Sequence, residues 1–285
     1  MGYLEHIVAI ALIYAILASS LDLVIGHAGM FSVAQAAFWG IGGYATALIT
    51  IRGGTSPAVA AAAGVGAAAI LAVVISIPTL RLSDEYFLIA TFAYQVIVTG
   101  LMTNWTTLTR GPLGINSIPP PFAAMPHQFT AVVVLAAAAT LALTWRLVNS
   151  PYGRVLHALR EDEILCRALG KPVVKLKVTV FTLSASIAAV AGALLAWYVT
   201  YIDPTNFTVT ESILIVSMVI IGGAGTTFGP FFGAVLLIVL PELMRFVGLP
   251  AAATANLRQI LYGAAMVAML ALRPYGLLGR QRPAQ

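Results

Sequence analysis

Charged side chains are concentrated in one stretch of a chain that is otherwise almost free of them. The chain has 15 Lys and Arg and 10 Asp and Glu residues, and nine of these lie between Ser150 and Lys177. The densest part is Arg160-Glu161-Asp162-Glu163, followed by Arg167. Side chains of both signs at this spacing can form ion pairs with each other and with a polar partner. We therefore expect this internal loop to contact something soluble.

Sequence patterns of catalytic sites are missing. The chain has no His-Glu-x-x-His, no Gly-x-Ser-x-Gly and no Gly-x-x-x-x-Gly-Lys pattern, which would indicate a metal site, a nucleophile or a phosphate loop. The glycine-rich stretches Gly40-Ile41-Gly42-Gly43 and Gly222-Gly223-Ala224-Gly225 lie in apolar segments, where close helix packing is the better explanation. The four isolated histidines, none with a second ligand at helical spacing, are His6, His27, His127 and His157. We expect no catalytic residue, no metal and no cofactor.

The composition indicates a membrane protein. Of the 285 residues, 60% are hydrophobic and only 9% are charged, whereas about 25% are charged in soluble domains. Several uncharged runs exceed the roughly 20 residues that an α-helix needs to cross a bilayer core of about 30 Å. The net charge of +5 fits the excess of Lys and Arg in cytoplasmic loops, so we expect the lipid bilayer as surroundings and no nucleic acid.

The predicted fold is an all-α polytopic transmembrane bundle that forms a single domain over residues 1–285. About 8–10 membrane segments are expected, some of them short or broken, because a segment at 211–222 is too short to cross a bilayer unaided. Nine segments are predicted, at about 4–25, 30–50, 57–77, 86–103, 128–148, 178–202, 211–222, 228–246 and 258–272.

Lys and Arg residues favour one orientation. Placing the loop at 150–177 and the C-terminal tail inside puts ten of these residues on the cytoplasmic side and four on the other, as the positive-inside rule requires. The connection at 104–127 then lies outside. It is rich in Gly and Pro and serves either as a docking surface for an external partner or as a plain surface loop.

Carboxylates are not expected deep in the membrane. Asp22, Asp203, Glu211 and Glu242 lie near the predicted ends of spans, where snorkelling or helix capping explains them. An ion-coupled carrier usually needs an intramembrane charge as its relay. We therefore expect the energy source in another subunit, with ions bound by backbone carbonyls as the alternative.

The charged loop is predicted to contain one short amphipathic helix from Ala158 to Leu169. Its apolar residues Ala158, Leu159, Leu165, Cys166 and Leu169 fall near one face. Glu163 and Arg167 are spaced i, i+4 with the acid first, the favourable order, and Gly170 with Pro172 stops the helix. Such a helix fits into a groove on a soluble partner or lies on the lipid surface.

Four ordered motifs resemble the branched-chain amino acid permeases of ABC importers, the LivM/LivH type. The stretch Arg160 to Gly170 resembles the coupling segment of that family, and Gly26 to Tyr44 is similar to its glycine-rich second span. Thr109-Arg110-Gly111 with Gly114-Ile115 resembles its external loop. Ile221 to Pro230, followed by Pro241-Glu242, resembles its late glycine-rich turn. The resemblance covers essentially the whole chain.

The resemblance implies a permease subunit without enzymatic activity in the bacterial inner membrane. Its implied partners are a second homologous permease, two cytoplasmic ATP-binding subunits and a periplasmic substrate-binding protein. The residues implied to dock to the ATPase are Arg160, Glu161, Asp162, Glu163, Leu165, Arg167, Ala168, Leu169 and Gly170. Thr109, Arg110, Gly111 and Gly114 are the candidates for external docking, and Ser32, Gln35, Tyr44, Gly222, Gly223 and Gly225 are the candidates for the translocation path.

The sequence departs from the family at two places. Gln35 stands where the family often carries His, and Arg110 replaces a glycine in the external motif, so Gln35 could affect what passes. Branched-chain amino acids are the default cargo. Urea, amides or aromatic acids in the same architecture are the first alternative, and an ion-coupled secondary carrier is the second. A membrane enzyme has no polar constellation to support it.

Overall fold

The computed structural model of the protein describes residues 2–53, 56–79, 84–121, 126–245, 260, 262–264, 266–269, 271 and 276–279. A π-helical turn at Leu23–His27 follows the first helix, and 3-10 turns occur at Gly111–Leu113 and Pro204–Phe207. The helices are α1 (Tyr3–Asp22), α2 (Gln35–Gly53), α3 (Pro57–Thr79), α4 (Asp84–Asn104), α5 (Thr106–Thr109), α6 (Pro126–Val148), α7 (Pro151–Glu161), α8 (Glu163–Ala168), α9 (Val173–Val199), α10 (Val209–Gly222) and α11 (Gly229–Arg245). Further helical residues lie between 260 and 271.

Within the part of the chain that the structure describes, five helical segments are long and apolar enough to cross a membrane. They are Tyr3–His27, Pro57–Thr79, Glu85–Asn104, Gln128–Val148 and Val173–Val199. The 14 residues of α10 give a rise of about 21 Å, which is less than the bilayer core of about 30 Å. The prediction of a polytopic helical bundle with some short segments is confirmed. Within the ninth predicted segment, 258–272, the described residues 260, 262–264, 266–269 and 271 are helical.

Two helices form the centre of the bundle. In the most apolar stretch of each helix, the share of buried residues is 72% for α1 with its π turn and 67% for α9. The same share is only 22% to 28% in α3, α4 and α6. Exposed Ile70, Ile89 and Leu135 on the outer helices are suited to face lipid. Helices α3, α6 and α11 pack directly against these two central helices.

Small residues allow α2 and α9 to pack closely, as is usual between helices in a membrane, where packing rather than the hydrophobic effect drives association. A Cβ atom at Gly42 would lie 2.3 Å from the Cα atom of Ala189. One at Gly192 would lie 2.1 Å from the backbone oxygen of Trp39. The backbones of the two helices are therefore in direct contact.

The second helix begins inside the bundle, at Gln35 and not at residue 30 as predicted. Its first free N–H groups are satisfied by side chains of other helices: Ala36 N donates to Ser212 Oγ at 3.0 Å and Ala37 N to Gln95 Oε1 at 2.7 Å. Gln95 Nε2 in turn donates to the carbonyl of Phe207 at 2.8 Å. The non-helical segment before α2 is tolerated because these buried partners replace water.

Replacing Gly192 with Ala is expected to destabilise the bundle. The added Cβ would collide with the backbone of α2, and overpacking of this kind costs about 1–3 kcal/mol. The measurement is the melting temperature of the purified protein in detergent. Gly66→Ala is the matched control, because a Cβ there meets nothing within 4 Å and Ala is favoured in helix interiors. Equal melting temperatures for the two variants would contradict the close contact.

Candidate functional site

The charged loop folds into two helices, so the prediction of one helix over residues 158–169 is wrong. Helix α7 ends at Glu161, and Asp162 adopts an extended conformation with φ −152° and ψ 103°. Its carboxylate then caps α8 by accepting a hydrogen bond from Leu165 N at 2.8 Å. Asp competes with its own backbone inside a helix and is among the best N-cap residues. The chain therefore turns where the charge pattern suggests continuity.

The break turns the two apolar surfaces in different directions. On α7, Leu156 and Leu159 are buried against the membrane helices, and on α8 Cys166 is buried too. Ile164, Leu165 and Leu169 are 79%, 56% and 68% exposed, and we call these three residues the α8 apolar face. The predicted single ridge that combined Leu159 and Cys166 with Leu165 and Leu169 is therefore wrong.

One ion pair lies within α8 and a second attaches α8 to the bundle. The predicted Glu163–Arg167 pair is confirmed, with 2.5 Å between Oε1 and Nη2, and Lys177 on α9 contacts the other carboxylate oxygen of Glu163 at 2.8 Å. Partial burial alone would raise the pKa of Glu163, but the hydrogen bond and charge of Lys177, with the charge of Arg167, bring it below its ordinary value. A carboxylate with a lowered pKa stabilises the fold at neutral pH, and this contribution is lost only as the pH falls through that lowered pKa.

The segment ends as the sequence predicts. Gly170 has φ +73°, a conformation that suits glycine after a helix, and α9 begins at Val173 after Pro172. Next to α8 lies an open groove of about 380 Å³ lined by Arg167, Pro172, Val173, Val174 and Lys175. The side chains of Glu161 and Ala168 are exposed on the same segment.

Arg160, like Glu163, is a predicted docking residue whose side chain contacts the bundle. Its Nη1 donates a hydrogen bond to the carbonyl of Gly26 in the π turn after α1. Asp22 and His27 of the same region are buried, and His157 of α7 lies 3.3 Å from His27, between Nε2 and Nδ1. The prediction that the four histidines are isolated is therefore wrong for this pair.

Two carboxylates lie at helix ends as the sequence predicts, but each contacts a partner on another helix or turn of the bundle. Asp22 is 3% exposed and accepts a hydrogen bond from Gly225 N at 2.8 Å, so it does not snorkel to water. Glu211 accepts from the Tyr14 hydroxyl at 2.8 Å. Since Tyr14 lies near the middle of the apolar segment Tyr3–His27, the short helix α10, whose first turn contains Glu211, begins at the depth of the middle of that segment.

The predicted path residues occupy two different places. Ser32, Gln35 and Tyr44 are buried inside the bundle at 2%, 3% and 4% exposure, and Gln35 Nε2 donates to Ser20 Oγ at 2.5 Å. Gly222, Gly223 and Gly225 instead form the turn that ends α10.

The predicted external-docking residues shape their loop. Buried Thr109 donates to the Met102 carbonyl at 2.8 Å, and Arg110 and Gly114 have positive φ angles. Ile115 then pairs with Ile202 in an isolated antiparallel bridge. The loop therefore exposes Arg110 and Leu113 on a fixed backbone.

Comparisons with known proteins identify the family. Residues 3–270 match the model of the branched-chain amino acid transport system / permease component. The chain belongs to this family. It is 33% identical to the high-affinity branched-chain amino acid transport system permease protein LivM of Salmonella typhimurium and to that of Escherichia coli, over 97% of this chain and 70% of each relative. The probable branched-chain amino acid transport permease protein LivM of Methanocaldococcus jannaschii is 27% identical over 71% of this chain and 62% of that protein.

A solved structure shares the fold of this permease. PsaBC from Streptococcus pneumoniae, in complex with Fab, superposes with a TM-score of 0.50 over 95% of this chain and 91% of that chain, at 15% identity. Together with the apolar helices, the family membership identifies a multi-pass permease of the inner membrane. Among the described residues of this permease, no group of three His, Cys, Asp or Glu side chains is placed to hold a metal ion.

Sequence reasoning did not find the contacts of Asp22, His27 and His157, because His157 is 130 residues from His27 in sequence. It also gave Lys177 no role, although its Nζ atom is bonded to Glu163. The signals available were the repeated Gly-x-Ala-Gly at residues 26–29 and 222–225 and the unusual charge of Asp22 beside an apolar span. Neither identifies a partner without the fold.

Asp162→Ala is expected to loosen α8. Loss of an N-cap costs about 1 kcal/mol, which should speed hydrogen exchange of the α8 amides about fivefold. Asp162→Asn is the control, since Asn caps a helix as well as Asp does and should leave exchange unchanged. Exchange is measured by mass spectrometry on peptides covering residues 163–169, and equal exchange in both variants would contradict the capping role of Asp162.

Proposed function

We propose that this permease is the transmembrane subunit of an ATP-driven ABC importer for branched-chain amino acids. The observation that carries the proposal is the α8 apolar face, which stands out from the charged end of a hydrophobic bundle. Large exposed apolar side chains on a rigidly held helix indicate an interaction site. The names of the relatives support the cargo, and the motifs at Arg160–Gly170 support the ATPase as the partner.

The geometry of α8 suits insertion into a groove of a soluble subunit. Burying one Leu or Ile side chain contributes about 1.5–3 kcal/mol, so the α8 apolar face alone offers enough for a specific contact. The surrounding Glu161, Arg167 and Lys171 are exposed and suited to set orientation through charge. The Asp162 cap and the Glu163–Lys177 contact fix the helix before docking and so reduce the entropy lost on binding.

The remaining partners are proposed from the family. A second, homologous permease completes the membrane part, two ATP-binding subunits dock inside, and a substrate-binding protein meets the external loop with exposed Arg110 and Leu113. The path is proposed to open near Ser32, Gln35 and Tyr44 and to end near the Gly222–Gly225 turn. In support of this, the backbone is non-helical just before α2, around Ser32, and just after α10, at Gly223–Gly225, and side chains of Thr91 and Asp22 bond it there, as around transport sites.

A second candidate, an ion-coupled carrier, is favoured by one observation, the Tyr14–Glu211 contact. Intramembrane carboxylates often act as ion relays. The two candidates separate in proteoliposomes. The importer needs ATP, the ATPase subunits and the binding protein, whereas a carrier of this chain alone would show gradient-driven uptake without ATP. Gradient-driven uptake by the chain alone would overturn the importer proposal.

Leu169→Asp is expected to release the ATPase subunit. A carboxylate in the docking groove loses the apolar contact and meets a desolvation cost of several kcal/mol, so co-purification of the ATPase should fall more than tenfold. Leu113→Asp is the control, because Leu113 is 78% exposed on the external loop against 68% for Leu169. It should leave co-purification unchanged. Undiminished co-purification with Leu169→Asp would remove the docking role from α8.

A further inference from the structure

Two Gly-x-Ala-Gly turns, separated by almost 200 residues, meet at the inner end of the bundle. The first, Gly26–Gly29, follows α1, and the second, Gly222–Gly225, follows α10. They touch through the backbone, since a Cβ at Gly26 would lie 2.2 Å from Gly225 N. Asp22 stabilises this contact, because its Oδ1 accepts a hydrogen bond from Gly225 N at 2.8 Å. Helices α1 and α10 are thus connected at this end.

Helix α7 is attached to the same place by two side chains. Arg160 Nη1 donates to the carbonyl of Gly26, and a Cβ at Gly225 would lie 2.7 Å from this same Nη1. Arg160 therefore lies against both turns at once. One turn of helix earlier, His157 contacts His27, and His27 Nε2 lies 3.3 Å from Asp22 Oδ2.

We propose that Arg160, Asp22, His27 and His157 form a rigid link, here called the inner link, that makes α7 and the inner ends of α1 and α10 move as one body. The inference rests on the proposed function, since it assigns how force applied at α8 reaches the membrane. Helix α8 docks, and Arg160 carries the displacement to the turns. Arg160 is a positioning residue, because it acts through Gly26 and Gly225.

The inner link has the properties that transmission of force requires. Asp22 and His27 are 3% and 2% exposed, so water does not compete for their hydrogen bonds. The partners of Arg160 and Asp22 are backbone groups of the turns, so a displacement of α7 acts on the main chain of both. The α8 apolar face contributes nothing to these contacts, so docking and transmission are separable by mutation.

Arg160→Gln tests the inner link in the complete importer, reconstituted in proteoliposomes with its ATPase subunits and binding protein. We expect ATPase co-purification and ATP hydrolysis to persist while solute uptake per ATP falls about tenfold, a factor equal to about 1.4 kcal/mol. Arg160→Lys, which keeps the charge and a donor, should recover part of the uptake. Arg154→Gln is the matched control, because Arg154 is exposed on the same helix, as Arg160 is, whereas the described contacts with Gly26 and Gly225 are those of Arg160; it should behave as wild type.

The outcomes distinguish the inner link from the proposed function. Wild-type uptake per ATP in Arg160→Gln would overturn the inner link and leave the docking proposal intact. Loss of ATPase co-purification in Arg160→Gln would show that Arg160 serves docking, which also overturns the inner link. Absence of ATP-dependent uptake in the wild-type complex would instead overturn the proposed function.

A covalent replacement tests the inner link independently of whether Arg160→Gln folds. A Cβ at Gly29, where φ is +74°, would lie 3.3 Å from the Cβ of Arg160, slightly below the range of about 3.5–4.5 Å seen in disulfides, so a small shift of the backbone accompanies the bond. The protein tested carries Gly29→Cys and Arg160→Cys, with Cys166→Ser to remove the native thiol. In the reduced state it should hydrolyse ATP with little solute uptake. In the oxidised state it should regain uptake per ATP, because the disulfide restores the link. Gly29→Cys alone should not respond to oxidation. A cross-linked protein that remains uncoupled would contradict a rigid link.

Discussion

Every backbone N–H and C=O group inside a bilayer must find a partner within the protein, because hydrocarbon offers none. This permease interrupts its helices at several points inside the bundle, and the rest of its structure depends on how those interruptions are satisfied. At the start of α2, the side chains of Gln95 and Ser212 accept hydrogen bonds from backbone N–H groups. At the end of α10, backbone carbonyl groups accept hydrogen bonds from the N–H groups of Leu277 and Leu278. Hydrogen bonds between distant parts of the sequence therefore hold these helices together. Packing alone would leave the helices free to shift against each other.

Asp22 shows the energetic side of this constraint. Removing a carboxylate from water costs several kcal/mol unless hydrogen bonds and a charged or polar partner offset it. Here the backbone N–H of Gly225 and the imidazole of His27 supply them. The Gly225 N–H would itself cost about 1–3 kcal/mol if buried without a partner. The buried charge and the broken helix thus stabilise each other, which explains why a charge stands beside an apolar span.

Local patterns in the sequence predicted local structure well. Uncharged runs located the long helices, the shortness of 211–222 located an interrupted element, and the i, i+4 spacing predicted the Glu163–Arg167 pair. The comparisons confirm the family that the ordered motifs indicated. Each of these signals depends on neighbours in sequence or on a whole-chain likeness, which a sequence displays directly.

Contacts across the sequence could not be predicted in the same way. The break at Asp162 results from competition between helix continuation and N-capping, and the charge pattern alone favours continuation. The contact of His27 with His157 and that of Asp22 with Gly225 depend on which helix ends meet. Glu211 lies at a helix end as expected, yet the preceding turn at Pro204–Phe207 enters the bundle, where Phe207 is bonded to Gln95. Depth in the membrane is a property of the fold, and counting residues from a helix end does not give it.

The single break at Asp162 also determines how the inner end of the molecule can work. In one continuous helix, the apolar residues of 158–169 would share a face, and that face could either pack on the bundle or bind a partner. With the chain turned at Asp162, α7 buries Leu156 and Leu159 while α8 keeps Ile164, Leu165 and Leu169 exposed. Glu163 bonds α8 to Lys177 of α9 and so holds α8 in place. A force on the exposed face of α8 therefore does not simply rotate α8 about its axis. The geometry that frees one apolar surface for a partner is therefore the same geometry that holds the other against the membrane helices.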